Sequence, residues 1–334
     1  MSGASSPEIL AVDYDGDGRL DLVDAFLDVY RGRGDGTFEV PFLAGPVNAG
    51  KSVGAGDFNG DGWLDLAVPE RSPPNIAVAP GGKGGFRALV RSKVGWAMNG
   101  IAVGDFDGDG RLDLAATEDS ASPGSVDFLK GRGDGSFVFS NTAGTAVGFG
   151  PSEIIAADFD GDGRLDVAVD DNTADDLSLL LGNGDGTFQP DMPVAEGRIG
   201  HLALWRGSNT VSPIVPDSGA TGHTVQITYP DGVRSARSPL TVETGPEAGA
   251  AVAADFDSDG NTDLAAAARG GAAFVVVAQG GDGRFEAPVS ILGPSRKSPA
   301  MAVGDFDGDG KPDVAMAGDD GAGHLVSVFL NRSR

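Results

Sequence analysis

The chain has no cysteine and only three histidines, His201, His223 and His324. The first absence excludes disulfide scaffolds, thiolate metal sites and cysteine nucleophiles, while leaving the compartment open. The second leaves little material for imidazole catalysis or zinc binding, and no Ser/His/Asp order is convincing. Positive charge is scarce: 24 Lys and Arg face 49 Asp and Glu, a formal charge of -25. Such a balance argues against nucleic acid and anionic membrane as partners. No apolar run approaches the ~18 residues of a spanning helix. The opening residues, Met1 to Pro7, lack the basic and apolar regions of a secretory signal. Either the protein is not exported or the numbering begins after signal removal. A helical apolar period sustained over ten or more residues is also missing.

Glycine is abundant instead, 54 of 334 residues, about twice the usual ~7% share. Phe, Val, Leu and Ala remain plentiful, which suits short strands joined by tight turns. The organising unit is Asp105-Phe-Asp-Gly-Asp-Gly-Arg-Leu-Asp113, with carboxylates at positions one, three, five and nine. Glycine at position six permits the sharp turn that an acidic cation loop requires. The unit begins at Asp13, Asp57, Asp105, Asp158, Asp255 and Asp305. The gap between the fourth and fifth copies is about two periods, so a further repeat is expected near residue 205. His201 to Val215 aligns there, with Trp205, Gly207, Asn209 and Pro213 in place of the acids.

A second mark follows each loop, Gly32-Arg-Gly-Asp-Gly-Thr-Phe38, Gly131 to Phe137 and Gly182 to Phe188, with weaker copies at Gly81, Tyr229 and Gly280. Asp-Gly between apolar runs is a strong hairpin signal, because the favoured two-residue turns need positive φ. One repeat is therefore strand A, acidic loop, strand B, connection, strand C, turn, strand D. This predicts an all-β fold, a seven-bladed β-propeller of four-stranded antiparallel blades in a single domain over 1–334. The blades run 8–50, 51–98, 99–150, 151–199, 200–248, 249–297 and 298–334. The fifth is expected to be degenerate, and the seventh to lack strand D. The aromatic at loop position two (Tyr14, Phe58, Phe106, Phe159, Phe256, Phe306) is expected to pack between blades.

Oxygen-only donors without His or Cys favour Ca²⁺ over zinc or copper. The expected ligands are Asp13, Asp15, Asp17 and Asp21; Asp57, Asn59, Asp61 and Asp65; Asp105, Asp107, Asp109 and Asp113. The other three loops offer Asp158, Asp160, Asp162 and Asp166; Asp255, Asp257, Asp259 and Asp263; Asp305, Asp307, Asp309 and Asp313. Backbone carbonyls at position seven complete the sets: Arg19, Trp63, Arg111, Arg164, Asn261 and Lys311. Four carboxylates in so short a loop repel one another without a cation. About six ions per chain follow, in a structural role, with affinities around 10⁻⁴ to 10⁻³ M.

The paired signals resemble FG-GAP/VCBS-type repeats, found in integrin α-subunit heads and many microbial surface proteins. The resemblance spans essentially the whole chain and implies a seven-bladed propeller with calcium in the A–B loops. No site transfers to the fifth repeat, whose segment Pro216 to Ile227 also looks faintly like the start of an immunoglobulin-like TIG domain. The regular spacing favours a decayed blade. Integrin heads bind ligands on the face of the B–C and D–A connections, which implies the same face here for a protein or glycan. Trp96 with Asn99 could stack on and hydrogen-bond a sugar, although packing between blades is the plainer use of Trp96. Arg33 to Asp35 and Arg132 to Asp134 spell Arg-Gly-Asp, but turn chemistry alone demands the Gly-Asp-Gly. The expected function is a non-enzymatic extracellular or cell-surface binding or adhesion module. The alternative is the propeller of a polysaccharide-active lyase or hydrolase.

Overall fold

A computed structural model describes residues 8–48, 51–119, 123–139, 144–171, 176–196, 201–206, 211–216, 224–227, 240–244, 248–268, 273–282, 284–292, 297–319 and 324–333. Every regular element among them is a β-strand, and the strands form antiparallel sheets in which sequence neighbours pair. In the first sheet Ile9–Val12, Asp21–Asp24, Asp28–Tyr30 and Phe42–Leu43 lie side by side in that order. The sheet after it runs from Gly54–Gly56 to Val90–Lys93, and the next begins with Met98–Gly104, Asp113–Glu118 and Ser125–Gly131. That third sheet has its outer strand in two pieces, Phe137–Phe139 and Thr145–Ala146, both paired with Ser125–Gly131. Six sheets have four or more strands; the last has three, Lys297–Gly304, Asp313–Asp319 and His324–Phe329. The fold is an all-β propeller built of four-stranded antiparallel blades.

Burial explains why the second strand of each unit reads as an apolar run. The first six residues of Asp65–Arg71 are all buried, as are all six of Asp113–Glu118. A strand covered on both faces does not alternate. Packing is between sheets: Leu10, Val12 and Tyr14 of the first meet Val53, Leu66 and Val68 of the second. Phe58 and Ile76 of the second meet Ile101 and Leu114 of the third. The series returns on itself, because Ile9 and Leu22 pack against Ala300, Phe306 and Ala315 of the last sheet.

The aromatics at loop position two are buried, at 3–7% exposure, and lie in these inter-sheet clusters. Four of them meet the turn aromatic of a neighbouring sheet. Phe58 faces Phe137 at 5.4 Å, Phe106 faces Phe188 at 5.8 Å and Phe306 faces Phe38 at 5.9 Å, all edge-on. Tyr14 stacks on Phe86 at 5.1 Å. A backbone bond runs beside three of these pairs: Gly135, Gly186 and Gly36 donate to the carbonyls of Phe58, Phe106 and Phe306.

The decayed repeat forms a four-stranded sheet. Ala203–Arg206, Val211–Pro216, Thr224–Ile227 and Leu240–Glu243 pair in order. Leu204 pairs with Pro213, matching the Gly104–Asp113 pair that closes an acidic loop. Here the ladder continues through Arg206 and Val211, so the connection is shorter than an acidic loop. Gly207, Asn209, the Tyr229 turn, most of 216–223, and Met1 to Pro7 lie outside the described residues.

Candidate metal centres in the A–B loops

The six acidic loops share one backbone geometry. The position-six glycines have φ between +82° and +90°, a region that side chains avoid. Position four is glycine in five loops at φ +70° to +78°, and Ser258 holds the same conformation at +64° in the other. This path turns backbone N–H groups inward. The position-one carboxylate accepts from position five at 3.0–3.1 Å and from position six at 2.8–2.9 Å. Position three accepts from position five at 2.9–3.2 Å, and position five from position seven at 2.8–3.0 Å.

Position nine does a second job. Asp21, Asp65, Asp113, Asp166, Asp263 and Asp313 are at most 1% exposed and open the second strand of their sheets. One oxygen accepts the N–H of the loop aromatic at 2.8–3.2 Å. The other accepts a turn N–H, from Gly32, Gly81, Gly131, Gly182, Gln279 or Asn331, at 2.7–2.8 Å. Desolvation raises the pKa of all six, to about 6 for Asp21, Asp113 and Asp166, against the pull of those bonds. A nearby cation would favour their charged forms.

Five loops bring three carboxylates within 4.8 Å of one another: Asp13, Asp15 and Asp17; Asp105, Asp107 and Asp113; Asp158, Asp160 and Asp166; Asp255, Asp257 and Asp259; Asp305, Asp307 and Asp313. In the remaining loop Asn59 stands at position three. Its amide nitrogen donates to Asp65 at 3.1 Å, and its oxygen accepts from Asp61. These clusters can hold a metal, and their hard oxygens fit Ca²⁺. Protein cations lie against these carboxylates in three loops. Arg31 lies on Asp15 and Asp17; Lys130 on Asp107 and, at 2.8 Å, Asp109; Arg332 on Asp307 at 2.9 Å. Arg87 reaches Asp61 at 2.8 Å. The repeat-to-repeat comparison of the sequence did not single out these basic side chains, since they stand outside both motifs.

The opposite face departs from expectation at Trp96, which is 51% exposed and not packed between blades. Asn99 is buried, donates to the Pro151 carbonyl at 3.0 Å and receives Arg71, so it is not free to join Trp96 on a sugar. Two further exposed aromatics share that face, Phe26 in the B–C turn of the first sheet and Phe149 in the connection entering the fourth. Neither belongs to a repeated motif, so the repeat pattern holds no cue to them. In the Arg-Gly-Asp turns Asp35 and Asp134 accept from Thr37 and Ser136, as Asp185 accepts from Thr187 where Asn183 replaces Arg. Turn chemistry accounts for all three.

The FG-GAP-like repeat family matches residues 13–68, 105–169 and 255–316, more than half of the chain. No curated protein matches. Among solved structures, a functionally unknown protein from Desulfotomaculum acetoxidans superposes with a TM-score of 0.60 at 11% identity, covering 99% of this chain and 94% of that one. A catalytically inactive virginiamycin B lyase from Staphylococcus aureus with quinupristin gives 0.57 at 13% identity, covering 99% and 97%. The periplasmic gluconolactonase of Pseudomonas aeruginosa gives 0.56 at 16% identity, covering 96% and 94%. At these identities the likeness is one of fold.

Proposed function

The chain belongs to the FG-GAP-like repeat family, and we propose that it is a calcium-stabilised seven-bladed propeller acting outside the cell or on its surface as a non-enzymatic binding module for protein or glycan. The three-stranded last sheet is read as the seventh blade, since it packs against both its neighbours. Calcium is held by positions one, three and five, the carbonyl at seven and the outer lone pairs of position nine, in up to six loops. Its role is structural: it neutralises carboxylates that otherwise repel, and so braces loop and turn. Weak sites of this kind suit an extracellular calcium level.

One observation carries the binding role. Phe26, Trp96 and Phe149 are 40–51% exposed on the connections opposite the loops, where a rigid scaffold presents recognition residues. Aromatic rings of this kind stack on sugars or anchor in a partner's pocket. A glycan and protein-ligand screen with the calcium-loaded chain tests the reading. A ligand whose binding falls at least tenfold in Trp96→Ala or Phe149→Ala supports it. Turnover of a polysaccharide by the purified chain would overturn it in favour of an enzyme.

A further inference from the structure

The first strand of each sheet is innermost, and these strands contact one another around the ring, so the fourth strand lies at the rim. In the last sheet the rim strand is the third, His324–Phe329, and among the described residues no strand pairs with its outer side. Val326 to Phe329 are only half-buried there. Ile76 to Ala79 hold the same register in the second sheet, inside Val90–Lys93, and are fully buried. A strand with one side unpaired presents a row of N–H and C=O groups that another chain can join.

Beside this edge the sixth and last sheets stand apart. A cavity of about 540 Å³ is lined by Phe256, Phe274 and Ile291 of the sixth sheet and by Val314, Val328 and Phe329 of the last. On the outer strand Val289–Leu292, at the rim of the sixth sheet, Val289 and Leu292 are 64% and 86% exposed. The loop aromatics explain the cavity. Tyr14, Phe58, Phe106 and Phe306 each meet the turn aromatic of the next sheet. Phe256 has no such partner among the described residues. Its carbonyl accepts from Asn331 Nδ2 at 2.7 Å, but its ring lines the cavity. The place that Phe86 fills beside Tyr14 is open beside Phe256.

The complete sheets show what fits there. In four of them the turn aromatic stands four residues ahead of the first residue of the outer strand, which is apolar: Phe38 and Phe42, Phe86 and Val90, Phe188 and Met192, Phe285 and Val289. Residues 1–7 match a different part of the repeat. Met1 and Lys93 each stand twelve residues before an acidic loop, so 2–7 align with the connection that follows an outer strand. The rim of the cavity carries exposed Glu286, and the chain has 49 acidic against 24 basic residues. Charge complementarity therefore favours a basic occupant.

We propose that the open side of the last sheet is a docking site for an extended, basic segment of a partner polypeptide. The segment adds as a fourth strand beside His324–Phe329, antiparallel as in the other sheets, and sets an aromatic side chain in the cavity against Phe256. Main-chain hydrogen bonds to the edge give affinity, and the cavity selects an aromatic four residues ahead of an apolar one.

The probe is a labelled peptide with the sequence of Gly81 to Lys93, which carries Phe86 four residues ahead of Val90, two lysines and two arginines. Fluorescence anisotropy with the full, calcium-saturated chain should show one saturable site, and amide exchange should slow along His324–Phe329. Alanine at the place of Phe86 in the peptide, or a shuffled sequence, should weaken binding by roughly tenfold or more, as for loss of a buried aromatic anchor. In the chain, Ala287→Trp and Val289→Lys change exposed positions that line the cavity, so the fold should tolerate them. Each should weaken binding by a similar factor, about tenfold or more. Val138→Lys, on the outer strand of the complete third sheet, should leave it unchanged. Absence of saturable binding, or a shuffled peptide that binds as well, would overturn the site. So would self-association of the chain that Val289→Lys abolishes, which gives the edge to a second copy. Peptide binding that appears only after removal of residues 1–7 would give the edge to that segment instead. None of these readouts involves Phe26, Trp96 or Phe149, so this site and the aromatic face can fail separately.

Discussion

Ser258 and Lys130 show how single residues make six similar loops unequal. Ser258 occupies the αL conformation that glycine holds in the other five copies. Its Cβ costs about 1 kcal/mol there, partly offset because serine restricts the unfolded chain more than glycine does. Ser258→Gly should therefore raise the melting temperature slightly in thermal unfolding, and a lower one would contradict the strain. Lys130 sits on Asp107 and Asp109, where a calcium ion would sit, and Arg31 and Arg332 do the same in their loops. The turns serving the loops at Asp158 and Asp255 have Leu181 and Ala278 at the place of Arg31 and Lys130. Lys130→Met should tighten calcium binding at the Asp105 loop a few-fold in a competitive chelator titration. Unchanged or weaker affinity would mean that the lysine does not compete.

At the scale of the element, the acidic loop proves to be half of a two-part brace. Its position-nine aspartate ties the loop to the turn of its own sheet, and that turn bonds the loop of the neighbouring sheet in three places. The chemistry predicts a split between positions. Asp113→Asn removes an acceptor facing two buried N–H groups and should cost about 1–3 kcal/mol even with chelator present. Asp107→Asn, at position three, should cost little in chelator and act mainly through calcium. Equal losses for both variants in chelator would reduce position nine to a ligand and nothing more. The 1, 3, 5, 9 spacing revealed the carboxylates. The division of labour among them was not legible, because it depends on a turn that lies sixteen to eighteen residues from five of the position-nine aspartates and eleven from Asp21.

For the whole molecule, the ring concentrates a charge of -25 whose acidic loops stand at one end. Elemental analysis should find about six calcium ions per chain, and chelator should lower the melting temperature appreciably. A site at tenfold its dissociation constant contributes about 1.4 kcal/mol to the native state. An unmoved transition would remove calcium from the account of stability. The end of the ring away from the metal loops makes a separate prediction about pH. Glu8, Asp170 and Asp171 have pKa values raised by burial to about 7, 8 and 7. A carboxyl whose folded pKa is raised binds its proton more tightly when native, so its contribution is lost as pH rises from its unfolded value through its folded one. With calcium saturating, stability should fall between about pH 5 and pH 8, and the slope should flatten in Asp170→Asn. A flat profile in the unsubstituted chain would show those groups ionised throughout.

What the sequence by itself determined is periodic and local. The spacing of aspartates and glycines sets each loop, the Gly-Asp-Gly turns set each hairpin, and the repeat length places a decayed copy at Trp205, whose strand register the structure reproduces at Leu204 and Pro213. These follow because turn conformation and strand pairing depend on near neighbours. What only the tertiary structure decided is where residues from different blades meet. Closing the ring puts Glu8 beside Glu153 and His201, and it leaves Trp96 exposed while burying Asn99. Glu8 and Glu153 stand at the same place in their repeats, five residues before the acidic loop, but the repeat pattern alone does not reveal that they meet; they do so because the inner strands of separate sheets point at one axis.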